Sequence, residues 1–290
     1  MKLALGGAQF GMSYGVANEK GQLKADETSD ILQLAYRQGV RLVDTAVLYG
    51  ESEATLGIAG VQHWKVVSKL PEIPPGVTGR EAVAHWVHHQ VEGSLKRLRI
   101  PALYGLLLHR PLQLLGVQGA DLYHALLDTK AKKMVEKIGV SIYEPTELAH
   151  LFGSMHFDLI QAPMNILDQR LLVSGWAERL EKMEVEVHVR SAFLQGLLLM
   201  SENIRPSKFK VFQPIWTIWS DWLRINALTP LEACLSFVNQ VPAVSQVVVG
   251  VDSFEHLSKI LQVRSVPLPN LPQWGAVDPR LINPAMWDSL

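Results

Sequence analysis

The chain of 290 residues is long enough for two average domains or for one larger domain of roughly 250 residues. Its 27 Lys and Arg residues nearly balance its 28 Asp and Glu residues, so no basic excess favours a nucleic acid or an anionic membrane as partner. Hydrophobic residues make up 48% of the sequence, which permits a large core and argues against disorder.

Eight short apolar segments rich in Val, Ile and Leu recur along the chain, separated by helical stretches. Each is apolar nearly throughout, as strands buried on both faces of a parallel sheet are. Glycines interrupt the first segment too early for the apolar core of a signal peptide, and no run approaches the ~20 residues that span a bilayer. The predicted strands are residues 2–6, 40–45, 64–70, 103–109, 135–141, 157–163, 185–191 and 244–250.

The stretches between these strands have helical patterns. Residues 80–98 carry apolar positions near a 3.6-residue period, and residues 26–39 offer Asp26 or Thr28 as N-cap and Gly39 as the end. Eight alternations of strand and helix predict a parallel sheet, and eight such units favour a closed (β/α)8 TIM barrel over an open sheet. Further predicted helices lie in residues 143–152, 174–183 and 252–262.

No linker or charge block divides the chain, so we predict a single barrel domain over residues 1–290. Two segments depart from the alternation: a long loop at 199–228 and a proline-rich C-terminal tail at 265–290. The long loop contains three tryptophans that recur at every third position and share one helical face: Trp216, Trp219 and Trp222. Either they belong to a mobile lid over the substrate, or their face packs against the barrel.

Polar residues end three neighbouring predicted strands, where the active sites of such barrels lie. Asp44 ends the second strand, with Tyr49 five residues later, and Lys69 and His109 end the third and fourth strands. Singly, each has an ordinary structural interpretation, as a helix cap, a core aromatic, a solvated lysine and a loop histidine. Four such residues at adjacent strand ends favour one common site.

These four residue types also make a chemically sensible unit. A phenol is a weak acid at neutral pH, but a cationic Lys69 would stabilise the phenolate that forms when Tyr49 gives up its proton. Asp44 would keep Lys69 charged and oriented, and His109 could donate a hydrogen bond to a substrate oxygen. Reduction of a carbonyl by hydride requires such a proton donor, because the carbonyl oxygen becomes negative.

The segment DTAVLYGESEATLG (44–57) resembles the Asp-Thr-Ala, Tyr-Gly and Ser-Glu block of the aldo-keto reductase family. VVSKL and LLLHRP, around the lysine and the histidine, follow in the family's order and spacing, and the resemblance covers nearly the whole chain. It implies a barrel oxidoreductase that uses NAD(P)H to reduce an aldehyde or ketone, with a sugar-like carbonyl as one candidate. It assigns a catalytic tetrad with Tyr49 as general acid: Asp44, Tyr49, Lys69 and His109.

The same resemblance implies NADPH as cofactor, with NADH as the alternative. Ser141 and Gln161 would contact the nicotinamide carboxamide, although Ile142 stands where the family usually has asparagine. Asn165, in QAPMN, is either a cofactor ligand or a turn residue. Arg190 takes the place of the tyrosine that stacks on the nicotinamide, and its planar guanidinium can also stack.

The remaining cofactor assignments concern the phosphates. Gly7, in GGAQFG, stands where the family often has threonine. Asp252 stands where arginine or lysine is common at the start of the last helix, so we expect weaker discrimination against NADH than is usual. The resemblance places Ser191, Leu194 and Gly196 along the pyrophosphate, and Gly250, Ser253, His256 and Lys259 around the phosphate-binding loop.

Two other functions remain open at this stage. One is a redox-silent nucleotide-binding barrel of the same family that serves as a sensing or scaffold subunit. The other is a lyase or isomerase that forms a Schiff base on Lys69. Steady turnover of nicotinamide would exclude the first, and borohydride trapping of substrate would favour the second.

The sequence also predicts several absences. No G-x-G-x-x-G fingerprint follows the first strand, and no set of residues suggests a metal site. Cys234, the only cysteine, lies in an apolar helical pattern and is expected to be buried and inert, which together with the N-terminus suggests a cytoplasmic protein. The expected partner is a small-molecule carbonyl compound, with no nucleic acid and no membrane, and the oligomeric state is left open.

Overall fold

A closed barrel of parallel strands forms the centre of the protein in this computed structural model, which describes residues 2–18 and 20–290. The strands within these residues are β1 Leu3–Gly6, β2 Leu42–Asp44, β3 Lys65–Leu70, β4 Leu103–Leu108, β5 Val135–Ser141, β6 Leu159–Pro163, β7 Glu186–Arg190 and β8 Val244–Gly250. They pair in chain order, and β8 closes the ring against β1. All eight predicted strands and the (β/α)8 barrel are therefore confirmed.

Helices follow the strands around the outside of the barrel. The α-helices are α1 Ala8–Gly11, α2 Ala25–Arg37, α3 Ser52–Ala59, α4 Arg80–Leu98, α5 Gly119–Ala131, α6 Thr146–Leu151, α7 Arg170–Val173, α8 Trp176–Lys182, α9 Gln213–Ile225, α10 Pro230–Asn239, α11 Phe254–Gln262 and α12 Pro279–Ile282. Shorter 3-10 turns cover Pro111–Leu115, Leu197–Leu199, Glu202–Ile204, Ser207–Phe212 and Pro284–Ser289.

The predicted cap of α2 is wrong by a few residues. Neither Asp26 nor Thr28 caps this helix; Lys24 is the N-cap residue, and its backbone N–H donates to the Glu27 carboxylate at 3.2 Å. Thr28 is buried and donates its hydroxyl back to the Lys24 carbonyl at 2.9 Å. Gly39 lies beyond the helix end with a φ of +86°, which a residue with a Cβ rarely adopts.

The apolar core has two layers. A small cluster fills the inside of the barrel, and a larger one lies between the strands and the surrounding helices. Cys234 belongs to the outer layer, so its predicted burial is confirmed, and burial raises the pKa of its thiol, which makes the thiolate unfavourable. The inner cluster consists of Ala4, Leu42, Val67, Leu107, Leu159 and Val248.

The segment between β7 and β8 is not the irregular loop that we expected at 199–228, because it contains 3-10 turns and the helix α9. Its three tryptophans are buried, and each indole N–H donates to a backbone carbonyl. The pairs are Trp216 with Phe209 (2.9 Å), Trp219 with Leu198 (3.2 Å) and Trp222 with Asn270 (3.0 Å). Burial with every indole N–H satisfied supports the packing alternative over the mobile lid.

The C-terminal tail lies against the same part of the protein. Trp287 is buried, and its ring meets that of Phe209 edge-on with centroids 4.9 Å apart. The Trp287 indole donates to the Leu281 carbonyl at 3.0 Å.

Among the described residues, none of the helices combines the length and the apolar character needed to traverse a bilayer.

Four polar side chains meet near the amino ends of the strands, opposite the predicted site. The Glu186 carboxylate accepts from the Tyr104 hydroxyl at 2.6 Å, lies 2.7 Å from His188 Nε2 and pairs with Lys137. Burial alone would raise the pKa of Glu186, but its hydrogen bonds to His188, Lys137 and Tyr104 lower that pKa to about 2. The carboxylate therefore holds three strands together at this end.

We expect Glu186→Gln to lower the free energy of unfolding at pH 7 by about 2–4 kcal/mol, because it leaves Lys137 partly buried without its partner. Because the pKa of Glu186 is lowered by folding, its carboxylate stabilises the protein fully above the pKa of the unfolded chain, near 4.5. This stabilisation is lost as the pH falls from there through about 2. Urea unfolding of both proteins across this range measures the difference. Tyr104→Phe, which removes only one hydroxyl, is the milder control, and a difference that does not shrink in acid would contradict the account.

Candidate active site

A buried ion pair joins the carboxyl ends of β2 and β3. Lys69 Nζ donates to Asp44 Oδ1 at 2.5 Å and to the Thr45 carbonyl at 2.9 Å. Burial alone would lower the pKa of Lys69, but the Asp44 carboxylate and the Tyr49 hydroxyl raise it above its ordinary value. Lys69 is therefore a cation at neutral pH, which disfavours a Schiff base because that reaction needs a neutral amine.

The second oxygen of Asp44 extends this network to two further strands. Gln161 Nε2 donates to Asp44 Oδ2 at 2.7 Å, and Ser141 Oγ donates to Gln161 Oε1 at 3.2 Å. Ser141 and Gln161 are paired in the register of β5 and β6, which brings their side chains together. Both are buried; of the two predicted carboxamide ligands, Gln161 contacts the tetrad carboxylate directly and Ser141 contacts Gln161.

Tyr49 lies on the loop after β2, directly over the ion pair. Its ring centroid is 5.0 Å from Lys69 Nζ and 5.7 Å from the His109 ring, which it meets edge-on. The loop rests on the backbone of Gly11, where a Cβ would come within 1.9 Å of the Tyr49 carbonyl oxygen. The structure thus brings the four predicted tetrad residues together, and it adds Gly11, whose only signal in the sequence is the motif GGAQFG.

His109 follows β4 and is a neutral imidazole. Burial lowers its pKa, and the positive charges of Lys69, Arg190 and Arg110 lower it further, to about 3. Its Nδ1 is buried and has no hydrogen-bond partner among the described residues. A neutral imidazole has one N–H donor and one acceptor, so His109 can donate one hydrogen bond to a ligand at the site.

A cavity of about 580 Å³ opens beside Asp44 and Tyr49 and extends to the start of α11. This volume is typical of sites for small molecules and cofactors. Seven of the predicted cofactor residues line it: Gly7, Arg190, Ser191, Gly196, Gly250, His256 and Lys259. Four do not line it and are buried in the protein: Ser141, Gln161, Leu194 and Ser253.

The loop after β7 has an unusual backbone where it borders this cavity. Ser191, Leu194 and Gln195 have φ values of 61°, 50° and 53°, which non-glycine residues adopt at a cost in free energy. Asn165 supports the loop by donating from Nδ2 to the Ser191 carbonyl at 3.1 Å. Its Oδ1 accepts from the backbone N–H groups of Leu167 and Asp168, both at 2.9 Å, so Asn165 is a turn residue.

Charges of both signs lie at the far end of the cavity. Ser253 is the N-cap of α11, and its hydroxyl accepts from the His256 N–H at 3.2 Å, so Asp252 is not the cap. Asp252 Oδ1 lies 2.6 Å from His256 Nδ1, and both residues line the cavity with Lys259. A phosphate bound there would meet one lysine, one histidine and one carboxylate.

Gly7 departs from the family's threonine for a local reason. Its N–H donates to the Asp44 carbonyl at 2.7 Å, and a Cβ on Gly7 would lie only 2.8 Å from the same oxygen. A larger residue would therefore displace the end of β2 that carries Asp44.

No group of three or more His, Cys, Asp or Glu side chains suited to a metal ion occurs in the described part of the chain.

Comparisons with known proteins agree with this geometry. The profile of the aldo/keto reductase family matches residues 2–275. No functionally curated protein matches the chain by sequence.

Similar solved structures include a candidate aldo-keto reductase from Pseudomonas aeruginosa, with 24% identity and a TM-score of 0.66, covering 90% of this chain and 88% of that one. An aldo-keto reductase from Bacillus halodurans in its holo form has 19% identity and a TM-score of 0.70, with 92% and 88% covered. A glycerol dehydrogenase from Gluconobacter oxydans has 20% identity and a TM-score of 0.69, with 92% and 88% covered. At these identities, the structures establish a common fold.

The family profile spans nearly the entire sequence, and the barrel has the closed eight-strand parallel topology. The chain therefore belongs to the aldo/keto reductase family, a family of carbonyl-reducing oxidoreductases that use nicotinamide cofactors.

Proposed function

We propose that this protein reduces an aldehyde or ketone to an alcohol with NADPH, and that Tyr49 donates the proton. The observation that carries the proposal is the buried Asp44–Lys69 ion pair directly under the Tyr49 ring, at the opening of a large cavity. A phenol next to a fixed ammonium is suited to giving up a proton, because the phenolate that remains is stabilised.

The cavity suits a nicotinamide dinucleotide in the chemistry of its lining. Arg190 lies at the end near Tyr49, the loop of Ser191 and Gly196 borders the middle, and Lys259 offers positive charge beside the His256 ring at the far end. The bound cofactor supplies a hydride to the carbonyl carbon. These residues would hold its nicotinamide ring, its pyrophosphate and its adenosine 2′-phosphate, in that order.

The chain's own residues then handle the proton. The carbonyl oxygen lies between Tyr49 and His109, where the neutral imidazole donates a hydrogen bond that orients it. As the carbonyl carbon accepts the hydride, the oxygen takes the phenolic proton, and the resulting phenolate is stabilised by Lys69. Asp44 keeps the ammonium in place, and a proton from solvent restores Tyr49.

We expect Tyr49→Phe to lower kcat for a good carbonyl substrate by about 10²–10⁴-fold, the usual contribution of general acid catalysis, with cofactor binding nearly intact. The variant removes only the proton that moves in the transition state. Steady-state kinetics and cofactor fluorescence titration measure the two quantities.

The matched control for this prediction is Tyr14→Phe, because Tyr14 is a second phenol on the same cavity wall. Burial raises the pKa of Tyr14, as does Tyr49, so Tyr14 is a weaker acid than an ordinary phenol. A larger loss in Tyr14→Phe than in Tyr49→Phe would identify Tyr14 as the proton donor and contradict the role proposed for Tyr49. Cofactor binding by the wild type with no turnover of any carbonyl would support the redox-silent alternative.

We expect His109 to stay neutral throughout the range of ordinary assays, because its pKa is lowered to about 3. Protonation occurs only as the pH falls toward that value, so the His109 ring should show no NMR titration between pH 5 and 8. His109→Asn, which keeps a neutral donor, should retain more activity than His109→Ala. A titration of this ring near pH 6.5 would show that the imidazole is not shielded as the structure indicates.

We expect the preference for NADPH over NADH to be below a thousandfold and Asp252→Asn to increase it, by roughly tenfold or less, since one charge at contact distance contributes ~1 kcal/mol in water. The carboxylate lies in the cavity wall beside the candidate phosphate residues. Dissociation constants for both cofactors at one pH and ionic strength measure the effect. Glu255→Gln, which neutralises an exposed carboxylate of α11 outside the cavity wall, is the control, and equal effects of the two variants would refute a local role of Asp252.

A further inference from the structure

The mouth of the site, defined as the region of Arg110 and Arg190 beside His109, has both arginines against the same aromatic ring. The guanidinium carbon of Arg110 is 5.6 Å from the ring centroid of Tyr143, and that of Arg190 is 4.8 Å from it. Arg190 donates to the Ile142 carbonyl at 3.0 Å, whereas the Arg110 guanidinium has no hydrogen-bond acceptor among the described residues. Arg110 is exposed, so its planar face and its N–H donors can reach a ligand.

Neither arginine has a carboxylate partner within the described ranges, and the nearby acids are used elsewhere. Asp168 binds Arg170 at 2.8 Å, and Glu144 lies 3.4 Å from the same guanidinium. Glu147 accepts the backbone N–H groups of Tyr143 and Glu144 at 2.7 and 2.8 Å. The tetrad carboxylate is paired with its lysine. The mouth therefore has an excess of positive charge, in a chain whose formal net charge is −1.

This excess of positive charge acts on the imidazole of His109. Arg110 directly follows His109 in the chain, and both guanidiniums contribute to the low pKa of that imidazole. Because Arg110 adjoins His109 and is exposed, a carbonyl oxygen held between Tyr49 and His109 would bring the rest of a small substrate toward Arg110. A guanidinium presents parallel N–H donors that match the oxygens of a carboxylate or a phosphate.

We propose that the substrate carries an anionic group, a carboxylate or a phosphate, in addition to its carbonyl, and that Arg110 binds this group. The inference rests on the proposed function, since it assumes that a carbonyl compound occupies the mouth. Arg190 adds positive charge nearby, since both guanidiniums lie over the ring of Tyr143. An anionic substrate would neutralise charge that a neutral one leaves unpaired.

Matched pairs of probe substrates test the proposal with the complete enzyme. The pairs are 4-carboxybenzaldehyde with methyl 4-formylbenzoate, and glyceraldehyde 3-phosphate with glyceraldehyde. We expect kcat/KM for the anionic member of at least one pair to exceed that of its neutral partner by about tenfold or more at low salt, the worth of one charge-assisted hydrogen bond. The pair that shows this ratio identifies the group as carboxylate or phosphate, and added salt should reduce the ratio.

Variants of Arg110 then locate the effect. Arg110→Gln should bring the ratio close to one, and Arg110→Lys should keep part of it, because a lysine supplies the charge without the bidentate geometry. Arg41→Gln is the matched control: Arg41 also lies over a tyrosine ring, Tyr36 at 3.8 Å, but directly precedes β2 at the opposite end of the barrel. This control changes the net charge equally and should leave the ratio as it is.

Several outcomes would overturn the proposal. A wild type without preference for either anionic probe would do so, and so would an Arg110→Gln variant that loses activity equally on both members of a pair, since Arg110 would then assist the chemical step. If no carbonyl is reduced with either nicotinamide, the proposed function fails by itself. Calorimetry on the protein with NADP+ then decides the anion site: 4-(hydroxymethyl)benzoate should bind more tightly than its methyl ester, and equal binding refutes the site.

Discussion

The buried ion pair of Asp44 and Lys69 is the interaction on which the rest of the site depends. Removing two charges from water is costly, and such a pair is tolerated only when further hydrogen bonds satisfy both groups. Here the Thr45 carbonyl and the Gln161 amide do so, at 2.9 and 2.7 Å. Loss of either partner would leave an uncompensated charge in the barrel, so the chemistry of the site and the side-chain contacts that join β2, β3 and β6 depend on the same hydrogen bonds. The position of Tyr49 follows from them, because its ring lies over the ammonium.

A fixed positive charge at this place also sets the state of its neighbours. Burial lowers the pKa of His109 most, the ammonium and the two guanidiniums lower it further, and the imidazole stays neutral as a result. A neutral imidazole competes poorly with a phenol as a proton source and serves as a hydrogen-bond donor. Proton transfer and orientation of the carbonyl are thereby separated between Tyr49 and His109. The electrostatics of the mouth, more than the intrinsic acidity of each side chain, accounts for this separation.

The sequence was sufficient to predict the features that follow from backbone periodicity. Strands buried on both faces have continuous apolar runs, and the carboxyl ends of parallel strands meet at one end of a barrel, so the eight strands and the convergence of Asp44, Lys69 and His109 could be predicted. Features that depend on contacts between distant residues could not. The close approach of Gly11 to the Tyr49 loop, the hydrogen bond that draws Gln161 to Asp44, and the packing of Trp216 in place of an open loop all depend on partners that no local pattern reveals. The N-cap of α2 was missed for a related reason, since an unremarkable Lys24 takes that position when Glu27 accepts its N–H.

The charges along the cavity suggest a direction for the reaction under the proposed function. Its reacting end carries Arg190, and its far end carries Asp252 beside His256 and Lys259. A reduced nicotinamide ring is neutral, whereas the oxidised ring is positive, so a guanidinium at the ring position repels only the oxidised form. Even in water, two unit charges at about 4 Å repel by ~1 kcal/mol, and a partly buried site increases this value. With Arg190 at the ring position, the site would therefore favour the reduced cofactor over the oxidised one more than an aromatic residue there would. Under the proposed function, such a preference would assist uptake of the reduced form and release of the oxidised form during carbonyl reduction, the direction that requires a proton donor such as Tyr49, without changing the overall equilibrium.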